Sequence, residues 1–173
     1  MPLRKYASVL YLTEAGSSGF RYLLNTLMLT RFIYQNDDYN LSREIIISKL
    51  CAAASNIISL PNELIIRIAW LGESVHGNTA VEHRFKNRIS INSILSLAEI
   101  PIVLIHELIH VNQIHTGLLS VSRHGIYTWN NTQYRIPESL SMEQYLQLPW
   151  EADVVEKQQK VLTDSLAYAM KKG

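Results

Sequence analysis

From Ile102 to Val111 the chain reads IVLIHELIHV, apolar at every position except His106, Glu107 and His110. A helix that is greasy on all sides has to lie in the middle of a fold, so the rest of the chain must wrap it. The three polar residues are the exceptions that need a reason. At about 100° per residue, His110 lies about 40° round from His106 and Glu107 about 100° round, which gathers all three into one sector. Burying a carboxylate with two imidazoles is unfavourable unless they pair or coordinate something. A divalent cation meets that demand. Two neutral imidazoles one turn apart reach a tetrahedral zinc ion, and the adjacent glutamate faces its open position. Glu107 is then expected to act as general base on a metal-activated water and to pass the proton to a leaving amine, as hydrolysis of a peptide bond requires.

The rest of the chain is compatible with such a centre. Its 173 residues, 47% hydrophobic and 18% charged, suit one globular domain spanning 1–173, long enough to bury roughly two thirds of the surface exposed when unfolded. With 16 Lys and Arg against 15 Asp and Glu and no basic block, nucleic acid is not an expected partner. Cys51, the single cysteine, cannot form an internal disulfide and reads as a small buried hydrophobe in KLCAAASNII. MPLRKYASVLYLTEAG begins like a signal peptide, but Thr13 and Glu14 cut its apolar run short, so it is read as a helix of the mature protein. No run of about 18 apolar residues occurs, so neither a transmembrane helix nor a membrane partner is expected. The expected location is the cytoplasm, that of the host if the protein is viral.

Periodicity predicts an α+β fold. Apolar residues at three-and-four spacing predict a helical N-terminal part over residues 1–60: PLRKYASVLYLT, GFRYLLNTLMLTRFIYQ after a glycine turn, and NLSREIIISKLCAAASNIISL. After Pro61, ELIIRIAWL is rich in β-branched residues and predicts a strand from Glu63 to Leu71. GESVHGNTAVEHRFKN reads as a loop, with His76 and His83 solvated but able to overhang a cleft. RISINSI alternates like a half-buried strand. Ser96 and Glu99 fit a capping box, so the motif helix begins either near Leu97 or at Pro101, and Gly117 marks its end. GIYTWNNTQYRI is a hairpin candidate turning at Asn130 and Asn131. A last helix is expected from near Pro149 to about Met170.

A catalytic zinc needs a third protein ligand, for which His115, His124, Glu138, Glu151 and Asp153 are the candidates. The extended motif HExxHxxGxxH is excluded, because Gln113 and Thr116 stand where it needs Gly and His. If the motif helix continues, His115 points about 140° away from His110. Glu151 and Asp153 lie about 200° apart on the last helix, so only one of them can be the ligand. Acidic residues are common in a first turn for reasons of helix dipole alone, and geometry leaves the choice open.

HELIHVNQ followed by LPWEADV, with YTWNNTQY between them, resembles the small gluzincin-type zinc metallopeptidases, including compact bacterial and phage-encoded versions. The resemblance covers about residues 88–158, with Val154 where Ala is usual. It implies a zincin-like domain with a small twisted sheet, a buried motif helix and a C-terminal helix that bears a ligand. It further implies His106, His110 and Glu151 as Zn²⁺ ligands, Glu107 as base, and Asp153 as an outer partner. In such enzymes an edge strand pairs with an extended peptide substrate, and RISIN is expected to be that strand. An oxyanion donor is also required. Tyr127, Tyr134, Tyr145, His124 and Arg135 are candidates, with Tyr134 as the working assignment. Trp129 and Trp150 read as core or hairpin anchors. The competing reading is a non-catalytic scaffold or assembly protein that keeps the helix pair and binds a partner without cleaving it.

Overall fold

The computed structural model describes residues 29–34, 40–80, 88–122, 125–137 and 139–171. The first expected helix, residues 2–13, and residues 19–28 and 35 of the second lie outside them. The remainder of that second segment corrects the expectation: Leu29–Tyr34 is a strand, β1. Thr30, Phe32 and Tyr34 are buried and Arg31 between them is exposed, a period of two in an apolar stretch that also admits a helical reading. Helix α1 (Leu41–Ala54) follows, with Asn40 accepting from the Arg43 amide as its N-cap. Strand β2 (Glu63–Ala69) pairs parallel with β1, and β4 (Arg88–Asn92) pairs parallel with β2.

Two expectations change at β4. The strand is internal rather than at the edge, in the order β1-β2-β4-β3 with β3 being Gly77–Ala80, and its polar residues Ser90 and Asn92 are buried along with Ile89 and Ile91. Beyond β4, the outer strand among the described residues is β3, inside the segment expected to be a loop and running antiparallel to β4. GNTA has no alternation of its own; pairing with β4 makes it a strand, which a local pattern cannot reveal. Asn92 anchors the approach to β3, donating to the Gly72 and Val75 carbonyls at 2.6 Å each.

Helix α2 (Ile100–His115) carries the motif. Glu99 accepts from the Ser96 amide and hydroxyl at 2.8 and 2.6 Å, which forms a turn ahead of the helix and leaves Pro101 in the first turn, where its missing N–H is harmless. The helix packs against α1, against β3 and β4, against β5 (Leu119–Val121), and against α4 (Pro149–Lys171). Those contacts explain most of its apolar circumference; the expectation of burial on all sides fails at Ile102, which is exposed at the cleft. Leu104, Ile105, Leu108 and Val111 are fully buried, each contributing about 1.5–3 kcal/mol relative to exposure. The helix stops at His115, and Gly117 follows at φ +76°.

Strands β5, β6 (Tyr127–Trp129) and β7 (Thr132–Tyr134) form a small antiparallel sheet. Asn130 and Asn131 turn the hairpin at φ 44° and 66°, as a two-residue turn with both central residues left-handed demands. Trp150 anchors it, with its ring 5.0 Å from the stacked Tyr127 and 5.6 Å from Tyr134, which meets it edge-on. A short helix, α3 (Met142–Leu146), is closed by a capping box between Ser141 and Gln144 and leads into α4. The fold is α+β: a small mixed sheet, a buried motif helix and a long C-terminal helix. Among the described residues, no helix is long and apolar enough to cross a membrane.

Candidate metal centre

His106 and His110 stand one turn apart on α2, and Glu151 meets both from the first turn of α4. His106 Nε2 lies 3.5 Å from Glu151 Oε2, and His110 Nε2 lies 3.3 Å from Glu151 Oε1. One ligand atom from each residue falls within a 4.8 Å span, a set of two imidazole nitrogens and one carboxylate oxygen. This donor set suits zinc. The other ring nitrogen of each histidine is engaged on the outer side, His110 Nδ1 by Gln113 Oε1 at 2.9 Å and His106 Nδ1 by Gln158 Oε1 at 3.2 Å. Both Nε2 atoms therefore face inward, the arrangement outer partners enforce on metal-binding histidines. Glu151 is 1% exposed, and its Oε2 is buried without a hydrogen-bond partner. That oxygen lies at ion-pair distance from His106 Nε2, and the same donor set is one that a divalent cation would fit.

Electrostatics reinforce the geometry. Burial alone would raise the Glu151 carboxyl, but bonds to His106 and His110, with the Tyr145 hydroxyl, hold it down at about 2. Burial would lower both histidines, yet the Glu151 carboxylate outweighs it and each ends above its ordinary 6.5. Glu107 moves the other way from Glu151: burial raises it above 4.5 despite the Thr79 hydroxyl and the two imidazoles.

These shifts set a pH dependence. The raised histidines stabilise the metal-free fold fully below their ordinary 6.5, and that stabilisation is lost as pH rises through their folded values. Glu151 stabilises it above 4.5, and its share is lost as pH falls towards about 2. Zinc, in contrast, needs both imidazoles neutral. From about pH 6 to about pH 8 the melting temperature in chelator should therefore fall, while the increment produced by excess zinc should grow. Melting curves with and without zinc across that interval check this, and an increment independent of pH would mean that the imidazoles are not ligands.

Glu107 is held from β3. The Thr79 hydroxyl donates to its Oε2 at 2.7 Å, and Gly77 lies directly over it. A Cβ on Gly77 would fall 2.8 Å from Val103 Cγ1 and 3.1 Å from Glu107 Oε1, so only glycine lets the strand come this close. Gly77→Ala should cost about 1–3 kcal/mol through overpacking, more than the roughly 0.4–1 kcal/mol gained by restricting the unfolded chain. A melting temperature at or above wild type would contradict this.

His106, Glu107, His110 and Glu151 all line one cleft of about 750 Å³, bounded on one side by residues 74–79 and on the other by Leu119, Val121 and Tyr127. Tyr145 also lines it and donates to Glu151 Oε1 at 2.6 Å. Burial and this bond to Glu151 raise its pKa, so the phenol keeps its proton. Tyr134, the working oxyanion donor, packs against Trp150 and is not among the residues lining the cleft. Arg135 is exposed and likewise not among them, while His115 is exposed at the helix end. His76 is exposed at the cleft mouth. His83, His124 and Glu138 lie outside the described residues. Asp153 sits behind the trio and accepts from Gln113 rather than facing the imidazoles. Sequence reasoning missed Thr79, Gln113 and Gln158 as supports. For Gln113 a signal existed, since it lies about 20° round from His106 and about 60° round from His110 on an otherwise apolar face.

Comparison with protein-family models, with curated proteins and with solved structures gives no match.

Proposed function

We propose that this protein is a zinc-dependent metallopeptidase of the small gluzincin type, holding Zn²⁺ through His106, His110 and Glu151 and using Glu107 as general base. The observation that carries this reading is the convergence of two inward-facing imidazoles and a buried carboxylate on one cleft that also contains Glu107. Bound zinc supplies Lewis acidity towards a water and a carbonyl oxygen. Glu107 accepts the proton of the attacking water and transfers it to the leaving amine, with Thr79 fixing its rotamer. Tyr145, which lines the cleft, bonds to Glu151 and stays protonated at neutral pH, is the phenol assigned as oxyanion donor in place of Tyr134.

An extended peptide is the substrate form that the edge favours. The Asn92 amide donates to the His76 carbonyl at 2.9 Å, so residues 76, 78 and 80 bond inward to β4. Gly77 and Thr79, in the alternate pairs, turn their N–H and C=O groups to the side where, among the described residues, no strand pairs. A substrate strand adding to that side runs along the cleft past Glu107. The expected setting is cytoplasmic, with peptide or protein as partner.

A second reading has one observation in its favour. Glu151 is already paired with both histidines without a metal, so the trio could hold α2 to α4 in a non-catalytic scaffold or assembly protein. The deciding experiment is the zinc content of the purified protein, followed by proteolysis of a generic unfolded substrate by wild type and Glu107→Gln. Zinc with Glu107-dependent cleavage supports the peptidase. Zinc without it supports the scaffold.

A further inference from the structure

Gln113 is fully buried on α2. An amide in such a place carries two donor hydrogens and an acceptor oxygen that must all be matched. Its Nε2 donates to the Trp150 carbonyl and to Asp153 Oδ2, both at 2.9 Å. Those partners only accept, so the amide cannot be turned round, and its Oε1 must be the atom 2.9 Å from His110 Nδ1. His110 Nδ1 therefore bears a hydrogen, and its Nε2 is the atom presented to Glu151.

The chain of bonds continues outward. Asp153 Oδ1 pairs with Lys157 at 2.6 Å. A carboxylate at the far end polarises the amide, makes Oε1 a stronger acceptor, and thereby makes His110 Nε2 a stronger electron donor. The same amide grips the carbonyl of Trp150, the residue immediately before Glu151, so it also registers the first turn of α4 against α2. His106 is supported differently: Gln158 accepts from it at 3.2 Å and passes its own hydrogen bond to the Ile102 carbonyl at 3.2 Å, near the surface.

We propose that Gln113 is the positioning residue of the metal centre: an amide relay from Asp153 that fixes the tautomer of His110, locks His110 and Glu151 into one geometry, and makes His110 the stronger imidazole ligand. This rests on reading the trio as a zinc site.

The test is zinc affinity by chelator competition in wild type, Gln113→Leu, Gln158→Leu, Asp153→Asn and the Gln113→Leu/Asp153→Asn double variant. Gln113→Leu should weaken zinc binding by about 10- to 100-fold, and Gln158→Leu should weaken it less. Asp153→Asn leaves the core untouched, which keeps the test open should Gln113→Leu fold poorly. It should weaken binding by part of the Gln113→Leu effect, and the double variant should bind no more weakly than Gln113→Leu alone. In zinc-loaded protein labelled at histidine nitrogen, the His110 Nδ1 proton should be protected from exchange in wild type and lose that protection in Gln113→Leu. A general loosening of the core would not single out that proton. Equal affinities for Gln113→Leu and Gln158→Leu, full affinity in Asp153→Asn, or additive losses would overturn the relay. A wild type that binds no zinc would overturn the relay together with the reading beneath it. Normal zinc affinity without any peptidase activity would remove only the proposed function, with the relay still decided by the affinities.

Discussion

Glu107→Gln is expected to lower kcat by about 10²- to 10⁴-fold while zinc affinity stays at the wild-type level. The substitution keeps size and shape, and the amide oxygen can still accept from the Thr79 hydroxyl that now donates to Oε2 at 2.7 Å. It removes the capacity to take up a proton, together with the carboxylate's charge. Glu107 is not among the three residues whose donor atoms lie together, so in the proposed centre its replacement removes no ligand. Stability provides a second expectation. Burial disfavours the charged carboxylate, as its raised pKa records, so the neutral amide should leave the metal-free melting temperature unchanged or higher. Lost cleavage accompanied by lost zinc would assign Glu107 to the ligand set, and cleavage that survives the change would remove it from the chemistry.

The elements that carry the centre were legible where side-chain pattern and burial coincide. IVLIHELIHV announced a mostly buried helix, and five neighbouring elements cover it, leaving Ile102 exposed near its start. NN at 130–131 announced its turn because left-handed backbone at both positions selects asparagine. Glu151 was reached through its place in a first turn together with a resemblance, and the structure brings it to both imidazoles. What stayed hidden depends on partners remote in sequence. LTRFIY fits either period, and only the parallel register against β2 decides that it is a strand. GNTA carries no pattern, and its conformation comes from β4. That one omission also misplaced the edge, since RISIN looks terminal until β3 is added beside it. Among the tyrosines composition offers no way to choose: Tyr134 and Tyr145 are alike as residues, and only the packing of the hairpin on Trp150 separates them.

The second large effect is expected from Glu151→Gln, which separates a metal centre from an ion-paired clasp. If the trio holds zinc, removing a carboxylate ligand should weaken binding by more than the roughly 10- to 100-fold that loss of an outer partner costs. Zinc at a thousandfold excess over its dissociation constant stabilises a fold by about 4 kcal/mol, and at roughly 2–4 °C per kcal/mol for a chain of this size the wild type should melt about 10 °C higher with zinc than in chelator. In Glu151→Gln, with binding weakened by about 100-fold or more, that increment should fall to about a third or less. If the trio is instead a clasp between α2 and α4, zinc adds nothing to either protein, and the substitution lowers stability equally in zinc and in chelator by leaving the two imidazoles without their anion. Breaking such a pair costs about 3–5 kcal/mol. The metal reading also predicts some loss in chelator, because Glu151 pairs with His106 and His110 there too. The zinc increment in wild type is therefore the quantity that decides, and its absence at saturating zinc would end the metal reading whatever the substitution does to stability.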